Sequence, residues 1–267
     1  MEAKVFVETL DQLLHRDQLK EAGEYLVSSL AEARACGSWQ LEITILNEMM
    51  GYYRNVRDEE AGLSAVRDGL RLLEEHAMQE TVTAGTTWVN GATTLKAFGR
   101  PEEALPYYES AFRVYGQLLD PSDYRFAGLL NNMALTYVDL GEFDMAEAYY
   151  GKAMKIMEKL PGGGMELAVT WVNLACLWNA RAQAAGAGNA EAGNAEGSGA
   201  SCPGDLSEAK ISDCLDRAWA YFEDPEAVRD SYYAFNCRKC AGTFGYFGRF
   251  REKRELERRA EEIYAGA

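Results

Sequence analysis

A pattern of eight residues in this chain returns after 42 positions. Trp88, Asn90, Ala92, Leu95, Gly99, Ala104, Tyr108 and Ala111 are answered by Leu130, Asn132, Ala134, Tyr137, Gly141, Ala146, Tyr150 and Ala153, each 42 residues further on. A fixed period of this length is that of a helical hairpin too small to bury its own apolar face, which must stack on its neighbours to do so. The small residues mark where one helix has to approach the other closely, and the large ones fill the space between them. Gly99 and Gly141 stand where a first helix ends and a left-handed residue is wanted. Pro101-Glu102-Glu103 then opens a second helix, with proline early and carboxylates at the positive end of the dipole.

Weaker copies of the pattern extend to both ends. A first hairpin uses Phe6, Leu10, Leu13, Ala22, Leu26 and Ser29. A second runs from about Leu41 to Leu73, with Met49, Tyr52, Ala61 or Gly62, and Val66; its two helices fit registers one residue apart, so its turn differs in length by a residue. The fifth uses Trp171, Ala175 and Trp178, then Ile211, Leu215 and Ala218, and the sixth Ala241, Phe244, Gly248, Phe250 and Ala260. The pattern therefore predicts an all-α chain, 1–267, forming a single solenoid of six antiparallel hairpins and twelve helices. The fifth hairpin is interrupted, because Ala175 and Ala218 lie 43 residues apart where Ala134 and Ala153 lie 19 apart. The extra residues, 183–205, are almost all Gly, Ala, Asn, Glu and Ser and include two near copies, Gly188–Ala192 and Gly193–Gly197. Such a stretch cannot bury enough apolar surface to offset its ordering entropy, and it is expected to be a disordered insert.

The alternation of small and large residues resembles the tetratricopeptide repeat over almost the whole chain. The long units and the run Leu-Asn-Asn-Met-Ala-Leu-Thr-Tyr (130–137) look most like the kinesin-light-chain type of that family. The resemblance implies a right-handed superhelix with the first helices of the hairpins lining its concave side. It defines architecture and is nearly silent on chemistry.

Charge and composition narrow the partners. A net charge of −15 disfavours general binding to nucleic acid or an anionic membrane, which needs a basic surface. The first eight residues carry Glu2, Lys4 and Glu8 where a secretory segment would be apolar, and no run is long enough to cross a bilayer. The expected location is the cytoplasm. Of the six cysteines, Cys176, Cys214 and Cys237 fall inside apolar helical patterns, which fits a reducing compartment better than a disulfide framework. The last helix carries Arg251-Glu252-Lys253-Arg254-Glu255-Leu256-Glu257-Arg258-Arg259, which reads as a solvated cap on the end of a solenoid.

One polar feature repeats on the first helices. Asn47, Asn90, Asn132 and Asn173 occupy the same place in four successive units, 43, 42 and 41 residues apart. An amide side chain offers two donors and an accepting oxygen, so it can hold one peptide unit of an extended ligand through both N–H and C=O. In related tetratricopeptide proteins asparagines at the matching position contact bound peptide, and the resemblance implies that role for these four. The competing role is to bond the adjacent helix and fix the stacking angle. Neighbouring positions add Asn131 and the cations Arg54, Lys96, Arg238 and Lys239, which would suit an acidic peptide or a free carboxylate. The expected function is a non-enzymatic scaffold for a protein or peptide. The alternative is a structural or self-assembling protein, a homodimer for example, acting through convex or terminal surfaces.

Catalysis finds little support. The two histidines, His15 and His76, lie in polar surroundings, and no glycine loop of the phosphate-cradling kind follows a strand. Cys237-Arg238-Lys239-Cys240 has the spacing of a metal or redox pair, but a structural zinc site needs a second pair and the redox motif a βαβ unit. Core packing is the expected role of both thiols. No metal and no cofactor is expected.

Overall fold

A computed structural model describes residues 2–191 and 203–266, with the side chains of 187–191 and 203–206 outside the description. Among the described residues the chain is helical, with no strand. It divides into two compact units, one ending at Pro121 and the other running from Ser122 to Gly266.

The first unit holds three hairpins: α1 (Ala3–His15) with α2 (Leu19–Ala35), α3 (Trp39–Val56) with α4 (Glu59–Glu75), and α5 (Val82–Ala97) with α6 (Pro101–Leu118). The first helices α3 and α5 touch each other, and α2 and α4 each pack on the first helix that follows. The second unit repeats the plan with α7 (Tyr124–Asp139) and α8 (Phe143–Met157), α9 (Gly164–Glu191) and α10 (Pro203–Phe222), and α11 (Ser231–Tyr246) and α12 (Phe250–Gly266). Here α9 touches both α7 and α11.

The repeat residues do in three dimensions what their sizes require. Ala92, Ala104 and Ala111 are fully buried in the first unit, and Ala134, Ala146 and Ala153 in the second. Between them Tyr108 and Tyr150 are also sealed from solvent. Close approach is strictest at Gly85 of α5, where a Cβ would stand 2.3 Å from the Tyr115 ring of α6.

Turns inside the hairpins use one device. Asp17, Arg57, Gly99, Gly141 and Gly248 have positive φ between the helices of hairpins one, two, three, four and six. The expected one-residue irregularity of the second hairpin is in its turn: three residues, 98–100, separate α6 from α5, but only two, 57–58, separate α4 from α3. Arg57 follows α3 directly in the left-handed region, and Asp58 then caps α4 by accepting the Ala61 N–H at 3.0 Å. Side-chain caps of the same kind start α5 at Thr81, α7 at Asp123 and α11 at Asp230.

The interruption of the fifth hairpin is narrower than its composition predicts. Residues 183–191 continue α9 and Pro203 begins α10, while 192–202 of the expected insert lie outside the described residues. Alanine and glutamine favour helix strongly, which carries α9 through Ala182-Gln183-Ala184-Ala185 despite the polar composition.

At the end of the second unit the charged helix α12 is more than a solvated cap. Arg259 is 9% exposed and donates through Nη1 to the Phe222 carbonyl at 2.8 Å and to the Tyr233 hydroxyl at 2.9 Å. Its Nε reaches Glu255 at 2.8 Å, and its Nη2 pairs with Glu223. Phe222 is the last residue of α10, so this guanidinium satisfies a carbonyl that the helix itself cannot.

Candidate functional site

The first helices carry a row of polar side chains whose commitments differ between the units. In the first unit Asn47 of α3 donates both amide hydrogens, to its own helix at the Ile43 carbonyl (2.9 Å) and to the Thr87 hydroxyl of α5 (3.0 Å). Its Oδ1 accepts from Asn90 at 2.9 Å. Thr87 is fully buried, so this amide clasps α3 to α5. Arg54, about two turns further along α3, donates through Nη1 to the Asn90 carbonyl and the Thr94 hydroxyl, both at 3.2 Å. Thr94 itself donates to the Asn90 carbonyl at 2.7 Å.

Two charged groups beside this clasp are part-buried. Burial lowers the affinity of Arg54 for its proton, with Tyr108 and Glu48 opposing the effect. Glu48 is pushed above the ordinary carboxylate range, by burial first and then by Asp11 of α1. Lys96 is half-buried at the far end of α5.

The second unit assigns the clasp to a different residue. Asn131, not Asn132, donates to the hydroxyl of the next first helix, Thr170 of α9, at 2.7 Å. Thr170 is fully buried and donates in turn to the Glu166 carbonyl at 2.7 Å. The Asn131 Oδ1 is buried without a partner. Asn131 was expected on the ligand side from its sequence position; its amide is spent between helices instead. Asn132 and Asn173 are part-exposed and make no side-chain hydrogen bond among the described residues. The column of four asparagines thus holds three kinds of residue: Asn47 is fully engaged, Asn90 half engaged, and Asn132 and Asn173 are uncommitted among the described residues.

Around Asn173 the same helix face presents Cys176, whose thiol is pushed up by burial and meets the Thr243 hydroxyl of α11. Asn179 and Gln183 both donate to the Tyr246 hydroxyl at 3.4 Å, the long end of such bonds, and Tyr246 is 67% exposed. On α11 Arg238 and Lys239 are exposed, with Arg238 stacked 4.4 Å from the Tyr264 ring of α12. Sequence reasoning missed Asn236 of α11, which is buried and donates to its own helix at the Tyr232 carbonyl (3.0 Å).

Cys237 and Cys240 are buried in the second unit's core. Burial pushes their thiols up to about 11 and about 12, so neither is a ready thiolate. Among the described residues no group of three or more His, Cys, Asp or Glu side chains could hold a metal ion, and no helix is long and apolar enough to cross a membrane.

Stacked hairpins with a repeated polar row on their first helices define a helical-repeat scaffold, a class that works by holding other proteins. Residues 83–159 match the tetratricopeptide-repeat family model, and solved structures of that class share the fold of the chain. Among solved structures, BtubC (BKLC) from P. vanneervenii is 17% identical, with a TM-score of 0.57 over 93% of this chain and 91% of that one. A chain of nearly identical tetratricopeptide-like repeats from Podosopora anserina, described as a putative kinesin light chain, is 13% identical, with a TM-score of 0.51 over 83% of this chain and 94% of that one. PilW, a widely conserved type IV pilus biogenesis factor, is 13% identical, with a TM-score of 0.50 over 99% of this chain and 94% of that one. At these identities the likeness is one of fold. No curated protein sequence matches the chain.

Proposed function

We propose that the protein is a non-enzymatic scaffold that holds an extended segment of a partner protein against the face formed by α7, α9 and α11. The observation that carries this reading is the division of labour among the asparagines. Asn131 fixes the stacking of α7 on α9, and this leaves the Asn132 and Asn173 amides uncommitted on part-exposed positions. Each offers two donors and an acceptor, enough to engage the N–H and C=O of one peptide unit without regard to its side chain. Arg238 and Lys239 stand on the next first helix and favour acidic side chains or a terminal carboxylate. In the first unit, taken by itself, Asn90 retains its side-chain oxygen, and Arg54 and Lys96 supply positive charge that would suit an acidic group there. Partners bind in the cytoplasm on this reading.

The test is fluorescence anisotropy with a panel of fluorescein-labelled nonapeptides that differ in net charge and in whether the C-terminus is free or amidated. Acidic members are expected to bind. Asn132→Ala combined with Asn173→Ala is expected to weaken them at least tenfold while the thermal unfolding midpoint stays in place. Unchanged affinity in that double variant, or binding indifferent to peptide charge, overturns the reading.

A further inference from the structure

Between α8, α9 and α10, all within the second unit, lies a cavity of about 580 Å³ that the polar row does not touch. Its floor is apolar: Met154 from α8, Trp171, Leu174 and Trp178 from α9, and Cys214 from α10. The Cys214 thiol is pushed up to about 12 by burial and stays a neutral, apolar group. This hairpin also departs from the repeat pattern. Ala104 and Ala146, fully buried, let the second helices of hairpins three and four close on their first helices. Ile211 holds that position in α10 and is only part-buried. Trp171 is correspondingly part-exposed, where Trp88 and Leu130 at the same place are buried.

The charge at the mouth is mixed. Glu147 lies 3.5 Å from Arg181, which also reaches Asp144 at 2.6 Å, and Asp213 is paired with Arg217 at 2.8 Å. Lys210 lies 3.4 Å above the Trp178 ring and makes no ion pair among the described residues. The indole faces, which would otherwise attract a cationic ligand, already carry the chain's own cations: Lys210 and Arg181 on Trp178, and Arg217 on Trp171 at 4.8 Å. An entering group therefore meets apolar surface beside an ammonium that pairs with no carboxylate among the described residues, in a volume within the usual range of roughly 300–1,000 Å³ for small-molecule sites.

We propose that this cavity binds a small organic anion, a flat apolar body bearing one carboxylate or sulfonate, with the body against Trp171, Leu174 and Met154 and the charge on Lys210. The inference is separate from the peptide face and survives if that reading fails. The probe is 8-anilinonaphthalene-1-sulfonate titrated into the full chain, with 2-naphthoate and the cation 2-naphthylmethylammonium as competitors. One saturable site is expected, displaced by the naphthoate and at least tenfold less well by the cation. Lys210→Glu is expected to weaken the dye at least tenfold, and Lys210→Met to weaken it while leaving the circular dichroism spectrum unchanged. Equal displacement by the cation, or dye binding unaltered in Lys210→Glu, overturns the proposal, as does the absence of saturation below 1 mM, the weak limit at about −4 kcal/mol.

Discussion

In the first unit the buried threonine before the repeat tryptophan, Thr87, is held by Asn47; in the second unit its counterpart before Trp171, Thr170, is held by Asn131. Asn47 sits at the repeat asparagine position and Asn131 one residue before it. The joint between first helices therefore requires an amide on the preceding helix, but tolerates a shift of one residue in where it comes from. When the shift occurs, the repeat asparagine is released to another use. One sequence position thus carries a structural duty in the first unit and none in the second, though both fit the same pattern.

The largest effect that could break this comparison is on stability. Asn47→Ala removes three hydrogen bonds at once and leaves the buried Thr87 hydroxyl and the Asn90 amide without that partner. The expected cost is about 2 kcal/mol, the scale of orphaning a buried polar group. Asn131→Ala should cost less, about 1 kcal/mol, because it also removes an oxygen that is already buried unpaired. Asn132→Ala should fall within about 0.5 kcal/mol of the parent, as surface substitutions do. Urea unfolding followed by circular dichroism gives all three. A loss in Asn132→Ala as large as that in Asn47→Ala would erase the distinction between the units.

A second difference sharpens the comparison at the level of a single hydroxyl. Tyr108 of α6 and Tyr150 of α8 are repeat equivalents, and both are fully buried. The Tyr108 hydroxyl shares a hydrogen bond with Thr93 at 3.0 Å. Leu135 stands at the place of Thr93 in the second unit, and the Tyr150 hydroxyl is buried with no partner. Burial pushes that phenol well above its ordinary range. Tyr108→Phe should therefore cost about 1 kcal/mol, whereas Tyr150→Phe should be neutral or stabilising. Leu135→Thr restores a partner, so its effect in the parent chain should differ from its effect in the Tyr150→Phe background. A double-mutant cycle with no coupling would refute the pairing.

The fold was legible because its information is periodic. Alanines at close-approach positions and large residues between them leave one helical solution, and Ala92, Ala104, Ala134 and Ala146 are sealed where that solution places them. Turn positions were legible where glycine marks them, at Gly99 and Gly141, and not at Asp17 or Arg57, which take positive φ without it. The site was less legible, for a physical reason. Whether an asparagine faces a ligand or its neighbour is decided by a hydroxyl about 40 residues away, as between Asn47 and Thr87 or Asn131 and Thr170. The pattern of Asn47, Asn90, Asn132 and Asn173 does not contain that information. The role of Arg259 was hidden likewise, since a run of alternating charges on α12 gives no sign that one guanidinium turns inward to the end of α10.

The smallest expected effect separates the units by acid titration. Glu48 in the first unit has its proton affinity raised by burial and Asp11, while Glu255 in the second is held down to about 2 by Arg258 and Arg259. For Glu48 the folded value exceeds the unfolded one. Below about 4.5, the ordinary carboxylate value, both states are protonated and the residue has no effect. As pH rises past that value the unfolded chain ionises more readily, and the folded state loses ground until its own group has ionised. Glu48→Gln should therefore stabilise the protein at pH 7, by about 0.5 kcal/mol on the scale of single favourable surface changes, and the gain should vanish towards pH 4. Glu255 has the opposite sign: its contribution is present above about 4.5 and is lost as pH falls towards 2, so Glu255→Gln should destabilise at pH 7 and become neutral in acid. Thermal unfolding at pH 7 and pH 4 reads the slope for Glu48, and a further measurement at pH 2 reads that for Glu255. Parallel slopes would show that Glu48 is paired with a cation in the folded chain, as Glu255 is, and not held by burial.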